Sequence, residues 1–160
     1  MAFEKMIRNA FEQSRDDCRF GDTIEEIREI QDYIKNAEKI CIPNKNGIKV
    51  EVLNRVLSEY GLPQAEMLQI DTNTADTSRI PALAKAYIAL DQSDADLIIA
   101  RGRLGIPGSG SLLIFIDNKG RILTAGTSPS HAIHKKPIEE AVYEEASEAL
   151  EKIGFKKIEG

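Results

Sequence analysis

The sequence predicts an α/β protein of three layers, in which a mixed, mostly parallel sheet carries helices on both faces. Its 160 residues are enough for one domain with a buried core. From Lys39 onward, short apolar strands alternate with amphipathic helices, an order that favours parallel pairing through right-handed crossovers. Two apolar runs flank Asp117-Asn118-Lys119-Gly120, which indicates a hairpin and therefore antiparallel strands as well. We expect residues 1–160 to form a single domain.

Residues 1–37 precede the alternating pattern and are predicted to form two helices packed on that domain. Apolar residues recur at helical spacing on both sides of a break at Gly21, and Thr23 followed by Glu26 has the spacing of a capping box. This helical pair is a possible subunit contact. A homodimer is the default expectation for a small soluble enzyme.

The remaining elements follow from apolar periodicity and from glycine and proline at their ends. One helix around Val50 to Tyr60 ends at Gly61, a second has Pro81 in its first turn, and the last runs from Pro137 to Gly154. The predicted strands are 40–42, 67–70, 97–100, 112–116 and 122–125. Cys41 lies inside the first of them and is expected to be a small core residue.

Composition excludes several classes of function. Charged residues make up 29% and hydrophobic residues 42% of the chain, with no apolar run long enough to cross a membrane. Charged side chains interrupt the N-terminus, so no signal peptide is expected and the predicted location is cytoplasmic. A net charge of -5 argues against a nucleic-acid-binding surface. The two cysteines are far apart and predict neither a disulfide nor a zinc site.

The first candidate site is the junction between the first strand and its helix, Asn44 to Lys49. Free backbone N–H groups and the helix dipole favour an anion at such a junction. Lys45 and Lys49 add positive charge, while Asn44 and Asn46 carry amides that can orient a ligand. The spacing is not that of a P-loop. An ordinary polar turn between strand and helix is the alternative.

The second candidate is a glycine-rich connection between two apolar strands, from Arg101 to Ser111. Arg101 and Arg103 can grip phosphate or carboxylate oxygens in a bidentate manner. The glycines allow backbone N–H groups to turn toward a ligand. We prefer this functional interpretation to that of a flexible connection. The residues expected to form the substrate-binding turn are Gly105, Gly108, Ser109 and Gly110.

The third candidate is the segment 126–136 between the last strand and the last helix, which is rich in hydroxyl groups and histidine. His131 is a candidate acid, base or phosphate ligand, and Thr127 and Ser128 could orient a base or sugar. Ordinary exposed histidines are an equal alternative. For Mg²⁺, a hard ion that prefers oxygen ligands, the candidates are Asp71 and Asp76 near the end of the second strand.

Two resemblances connect these segments to known proteins. Residues 38–61 resemble the first strand, loop and helix of the inosine-triphosphate-pyrophosphatase-like fold, whose pattern is Ser/Thr-x-Asn-x-x-Lys. Asn46 and Lys49 match the pattern, whereas Asn44 replaces the hydroxyl residue. The resemblance implies that Asn46 and Lys49 hold a triphosphate, and the replacement puts one phosphate contact in doubt.

Nearly the whole chain is similar to a narrower family from methanogens, the guanylyltransferase of iron-guanylylpyridinol (FeGP) cofactor biosynthesis. The run Arg-Gly-Arg-Leu-Gly-Ile-Pro-Gly-Ser-Gly-Ser at 101–111 and the run Gly-Thr-Ser-Pro-Ser-His at 126–131 carry the likeness. It implies transfer of GMP from GTP to a pyridinol with release of pyrophosphate, for the cofactor of an iron-only hydrogenase. A nucleoside triphosphate pyrophosphatase or a non-catalytic nucleotide-binding protein is the alternative.

Overall fold

In residues 2–158, which the computed structural model describes, the chain forms six α-helices, five β-strands and one turn of 3-10 helix at Asn73–Thr77. The helices are α1 (Ala2–Arg15), α2 (Ile24–Lys35), α3 (Gly47–Glu59), α4 (Pro81–Asp91), α5 (His131–His134) and α6 (Ile138–Lys152). The strands are β1 (Ile40–Pro43), β2 (Glu66–Leu68), β3 (Leu97–Arg103), β4 (Ser111–Asp117) and β5 (Ile122–Ser128). Within residues 2–158, no helix is long and apolar enough to cross a membrane.

The five strands form one mixed sheet in the order β2-β1-β3-β4-β5. Strand β1 pairs in parallel with β2 and β3, whereas β4 pairs antiparallel with β3 and β5. The mixed α/β prediction and the hairpin are confirmed. The expectation of a mostly parallel sheet is wrong, because the connection 104–110 between β3 and β4 is too short for a crossover helix. The likeness to the inosine-triphosphate-pyrophosphatase fold stays a prediction.

Helices cover both faces of the sheet because side chains alternate along each strand. Ile40 and Ile42 of β1 face a large core shared with α1, α2, α3 and α6. Cys41 lies between them in sequence and faces the opposite core, which α4 covers. Cys41 is therefore the small buried core residue that its position predicts.

Helices α1 and α2 lie against the larger core. Phe3 and Ile34 are buried in it, and α2 begins with the capping box that the sequence predicts. The backbone N–H of Glu26 donates to Thr23 Oγ1 at 3.2 Å, and the backbone N–H of Thr23 donates to Glu26 Oε1 at 2.8 Å. These bonds satisfy donors that the first turn of a helix leaves free.

Several predicted boundaries are wrong in ways that affect the candidate site. Strand β3 continues through Arg103 because that residue pairs with Ser111, so both arginines belong to a strand and not to a loop. Strand β5 continues to Ser128, which pairs with Ser111 on the other side. In the third candidate segment, His131–His134 forms one helical turn, α5. Strand β2 ends at Leu68, so Asp71 lies beyond the strand and not at its end.

Candidate functional site

All three candidate segments meet at one edge of the sheet. The parallel strands β1 and β3 end there, β4 begins there, and β5 returns to it. Carboxyl ends of neighbouring parallel strands are where ligands collect in α/β sheets. The topology therefore brings residues 44–49, 101–111 and 126–136 to the same edge, although they are far apart in sequence.

The two asparagines of the first segment shape the start of α3. Asn44 Oδ1 accepts a hydrogen bond from the backbone N–H of Asn46 at 2.8 Å. Asn46 is the N-cap, and its Oδ1 accepts from the backbone N–H of Ile48 at 3.0 Å. Both carbonyl oxygens are thus used within the turn. In this structure the asparagines act locally, and Lys49 is the side chain of the segment that carries charge toward the sheet edge.

Lys49 connects the first segment to the second. It is half-buried, and no residue in the described part of the chain forms an ion pair or hydrogen bond with its amino group. Burial, and after it the positive charge of Arg101, lower the pKa of Lys49, while the charge of Glu145 opposes this effect. Lys49 therefore lies within electrostatic reach of Arg101.

Lys85 on α4 belongs to the same group, although it is absent from the predicted site. Its amino group donates to the backbone carbonyl of Arg101 at 3.1 Å. Burial first, and then the charges of Lys49 and Arg101, lower the pKa of Lys85 to about 8. One sequence signal was available: Lys85 is spaced three and four residues from Ala82 and Ala89, which are both buried.

Arg101 is held by a carboxylate that is also absent from the predicted site. Its Nε and Nη2 donate to the two carboxylate oxygens of Glu145, at 2.7 and 3.1 Å. Nη2 also donates to Ser111 Oγ at 3.0 Å, and the Ser111 hydroxyl donates to Glu145 Oε2 at 2.6 Å. Glu145 is 0% exposed. A buried carboxylate needs such partners, because burying an unpaired charge costs several kcal/mol, on the order of 3–5.

Arg103 lies two residues along β3, on the same side of the strand as Arg101. Its Nη2 donates to the backbone carbonyl of Asp76 at 2.7 Å, and its Nη1 lies 3.6 Å from the Asp76 carboxylate. Its Nε is buried and has no hydrogen-bond partner among residues 2–158. We call Lys49, Lys85, Arg101 and Arg103 the cation cluster.

Gly102 separates the two arginines and allows β3 to approach α4. A Cβ atom at this position would lie 3.0 Å from the backbone N and Cα of Ala82. Strand β3 therefore runs directly against the first turn of α4, the helix that carries Lys85. Any larger residue at position 102 would separate the two elements.

The glycine turn between β3 and β4 is an ordered structure. The backbone N–H of Gly105 donates to Ser109 Oγ at 2.9 Å. Gly108 and Gly110 have φ angles of +99° and +92°, which side chains disfavour. A Cβ atom at Gly110 would also overlap the backbone of Ser128 and Pro129. These contacts fix the turn against β5.

A cavity of about 410 Å³ opens beside the cation cluster. Both arginines line it together with hydroxyl groups, the α5 histidines and the apolar side chains of Pro129, Ile138 and Ala141. Of the predicted residues, the lining includes Arg101, Arg103, Gly108, Gly110, Ser128 and His131. Thr127 and residues 44–49 lie outside it. The volume is typical of sites for small organic molecules.

The predicted metal ligands do not form a preformed site. Asp71 is exposed, and its Oδ1 accepts from the backbone N–H of Asn73 at 2.9 Å. Asp76 lies beside Arg103. Within the described part of the chain, no three His, Cys, Asp or Glu residues are grouped so that they could hold a metal ion. An Mg²⁺ ion that is carried by phosphates would need only one or two protein carboxylates.

The fold and site define an α/β protein with a group of half-buried cations beside a cavity large enough for a small organic anion. The sequence is more specific: a family model described as "FeGP cofactor biosynthesis protein HcgB, guanylyltransferase" matches residues 3–155. The chain belongs to this family of guanylyltransferases. The predicted enzyme class and its place in FeGP cofactor biosynthesis are thereby confirmed.

Proposed function

We propose that the protein transfers GMP from GTP to the hydroxyl oxygen of a pyridinol, and that the triphosphate lies on the cation cluster. One observation carries this assignment. Four cations from α3, α4 and β3 lie at one sheet edge, and among residues 2–158 only the two arginines have a carboxylate partner there. Two lysines are left to bind an anion.

Electrostatics favour a polyanion at this place. In the free protein the charges of Lys49 and Arg101 disfavour the charged form of Lys85, in addition to the effect of burial. An anion among these side chains would relieve that repulsion and favour the protonated amines. A triphosphate carries several negative charges along a short chain, so one ligand could contact several cations at once.

The chemistry requires positioning more than covalent assistance. The pyridinol oxygen attacks the α-phosphorus, and a new oxygen–phosphorus bond forms while the bond to the bridging oxygen of the β-phosphate breaks. Pyrophosphate leaves with that bonding electron pair, and the pyridinol proton passes to solvent or to a basic group. Lys49, Lys85 and the arginines would stabilise the charge on the phosphate oxygens.

The neighbouring cavity is the proposed place for the organic parts of the substrates. Its apolar side, formed by Pro129, Ile138 and Ala141, suits an aromatic ring. Its polar side has Ser128 and His131, which we propose as contacts to base, sugar or pyridinol, with Thr127 nearby at the end of β5. Filling this cavity with the acceptor would exclude water and thus favour transfer over hydrolysis.

Two further parts of the proposal concern Mg²⁺ and the oligomer. We propose that Mg²⁺ enters with the triphosphate, with Asp76 as the closer of the two candidate aspartates to the cation cluster. We also propose a homodimer formed through the N-terminal helices. Ile7 and Phe11 of α1 are exposed at helical spacing, and Phe20 is 95% exposed, which favours a protein contact on that side.

Incubation with GTP and Mg²⁺, with and without a pyridinol, tests the reaction. Pyrophosphate that appears only with the pyridinol supports guanylyl transfer. Pyrophosphate without the pyridinol supports hydrolysis, and binding of GTP without any pyrophosphate supports a non-catalytic role.

Binding of GTP to two lysine variants tests the site. Lys49→Ala should weaken GTP binding by about 10-fold or more, because a hydrogen bond to a charged group contributes about 1.5–3 kcal/mol. Lys45→Ala is the matched control: Lys45 is in the same segment but exposed, so its loss should change affinity by less than about 3-fold. Equal effects of the two variants would remove Lys49 from the site.

A further inference from the structure

Glu145 controls which part of Arg101 faces the cavity. A guanidinium group has five N–H donors. The Nε–H and both N–H groups of Nη2 are used by Glu145 and Ser111. Among the residues that the structure describes, none accepts a hydrogen bond from Nη1. The two N–H groups of Nη1 therefore remain for a ligand in the cavity that Arg101 lines.

The fold builds this contact from a helix and a strand that are distant in sequence. Glu145 lies midway between Ala141 and Ala149 on the buried side of α6, four residues from each. Helix α6 packs against β5 at Gly126, where a Cβ atom would overlap the backbone of Glu145. Gly126 thus lets the helix come close enough for the Glu145 carboxylate to reach under β4 to Arg101.

The same carboxylate affects the charge of the cluster. Without Glu145, Lys49 would lose the negative charge that opposes the effect of Arg101 on its pKa, whereas Lys85 would keep the influence of Asp76. Glu145 opposes the lowering of the Lys49 pKa, whereas burial and Arg101 cause it. Glu145 and Asp76 therefore offset part of the repulsion among the four cations, and the net charge of the cluster stays positive.

We propose that Glu145 is a positioning residue of the guanylyltransferase: it holds Arg101, with Ser111, in the orientation that presents Nη1 to the triphosphate. Glu145 itself does not line the cavity. This inference rests on the proposed function only in naming the triphosphate as the ligand of Arg101. The orientation of Arg101 in the free protein does not depend on which reaction is catalysed.

A purely structural role for Glu145 makes a different prediction. In that case Glu145→Gln would lower the free energy of unfolding and leave each folded molecule fully active. The matched control is Asp117→Asn, since Asp117 is also 0% exposed and also bound to an arginine, but at the opposite end of β4. Rates are therefore compared per folded molecule, with the folded fraction measured by urea denaturation.

The experiment combines NMR of the Arg101 Nε–H group with GMP-transfer kinetics. In Glu145→Gln we expect the Arg101 Nε–H signal to lose its protection from solvent exchange. We expect kcat/KM for GTP to fall about 10–100-fold, the range for loss of a charge-assisted contact of about 1.5–3 kcal/mol. Asp117→Asn should change neither measurement by more than about 2-fold per folded molecule.

A double-mutant comparison separates action through Arg101 from other effects. Adding Glu145→Gln to Arg101→Ala should lower kcat/KM by less than about 2-fold beyond Arg101→Ala alone, because both substitutions remove the same interaction. Additive losses would overturn the proposal, and so would an unchanged Arg101 signal in Glu145→Gln.

The role of Glu145 can still be tested if the variant does not fold or if the wild-type protein does not transfer GMP. If Glu145→Gln does not fold, Ser111→Ala tests the same network, and it should also loosen Arg101. If the wild-type protein does not transfer GMP, the proposed function fails, whereas the Arg101 signal and the affinity for pyrophosphate still decide the role of Glu145. If Glu145→Gln changed neither the Arg101 Nε–H signal nor the affinity for pyrophosphate, the positioning role of Glu145 would be overturned.

Discussion

A buried carboxylate binds an arginine at each end of β4, Asp117 at the hairpin end and Glu145 of α6 at the other, and the two pairs differ in the charges that surround them. At the hairpin end, Asp117 Oδ1 accepts from the backbone N–H groups of Lys119 and Arg121, both at 2.9 Å. Its Oδ2 accepts from Arg121 Nε at 2.7 Å. These three donors lie within four residues of Asp117 in sequence, so their bonds form with the turn, whereas Arg121 Nη1 also donates to Glu4 Oε1 of α1 at 3.2 Å.

At the other end of β4, Glu145 binds an arginine 44 residues away in sequence. This pair forms only when α6 has packed on the sheet, and its neighbours Lys49 and Lys85 form no ion pair with any residue of 2–158. The hairpin end thus pairs each of its cations, Lys119 and Arg121, with a carboxylate and contributes to stability. The site end keeps an excess of positive charge, which costs stability in the free protein and which, on the proposed function, a bound anion offsets.

The largest expected effect comes from the packing that brings α6 to the site end. Gly126→Ala should lower the free energy of unfolding by about 3 kcal/mol, because the new Cβ atom would overlap the backbone of Glu145 and force helix and strand apart. Urea denaturation measures this. In the control Gly47→Ala, the new Cβ atom meets nothing within 4 Å, so stability should rise by about 0.4–1 kcal/mol. Equal stability of the two variants would contradict the close approach at Gly126.

The second effect concerns the hairpin end. Asp117→Asn should lower the free energy of unfolding by about 2 kcal/mol, because the new amide turns a donor toward Arg121 Nε in a buried place. The rate of GMP transfer per folded molecule should be unchanged. A lower rate of GMP transfer per folded molecule in this variant would show that the two ends of β4 are coupled and do not act separately.

The third effect is a pH dependence confined to the site end. The pKa of Lys85 is about 8, so the amine that would bind phosphate loses its proton as pH rises through that value. Triphosphate affinity should fall about 10-fold per pH unit above pH 8, since binding requires the protonated form. Isothermal titration calorimetry from pH 7 to pH 9 measures the slope, and proton uptake should accompany binding near pH 8.

Lys85 should also make the free energy of unfolding depend on pH, but this free energy should rise with pH where the triphosphate affinity falls. The folded pKa of Lys85 is below the ordinary value of 10.5, so between these pH values the unfolded chain holds the proton more tightly. The Lys85 contribution to the free energy of unfolding therefore rises with pH in this interval. Lys85→Arg keeps its charge over this range and should remove both slopes. Slopes that persist in this variant would assign the titration to another group.

The smallest effect belongs to a surface pair on the same helix as Glu145. Glu148 Oε1 lies 3.2 Å from Lys152 Nζ, and both side chains are largely solvated. Glu148→Gln should change the free energy of unfolding by no more than about 0.5 kcal/mol. Urea denaturation measures this change. If Glu148→Gln lowered the free energy of unfolding by more than this, any carboxylate on α6 would matter for stability, whether it is buried or not.

Much of the architecture follows from local sequence. The helix ends at Gly61 and Gly154 and the hairpin after Asp117 all have the turn chemistry that predicts them. The strand ends were less predictable: Arg101-Gly102-Arg103 has the composition of a loop, yet β3 continues through it. Pairing with β4 decides its conformation, and that partner lies beyond a turn whose shape the sequence alone does not determine.

The candidate site was predictable only in part for the same reason. Arg101 and Arg103 stand out because two arginines alternate beside several glycines. Glu145 and Lys85 are charged residues inside helical segments, where charge ordinarily indicates a solvated surface. What makes them different is their contact with β3, and contacts between residues so distant in sequence depend on the folded topology.

The backbone contact at Gly102 has a consequence for selectivity. Because β3 touches the first turn of α4, the backbone segments that carry Lys85, Arg101 and Arg103 are held at a fixed separation. This separation does not depend on a bound nucleotide. On the proposed function it determines how long a phosphate chain must be to reach all three side chains, so a nucleoside monophosphate should be a poor competitor.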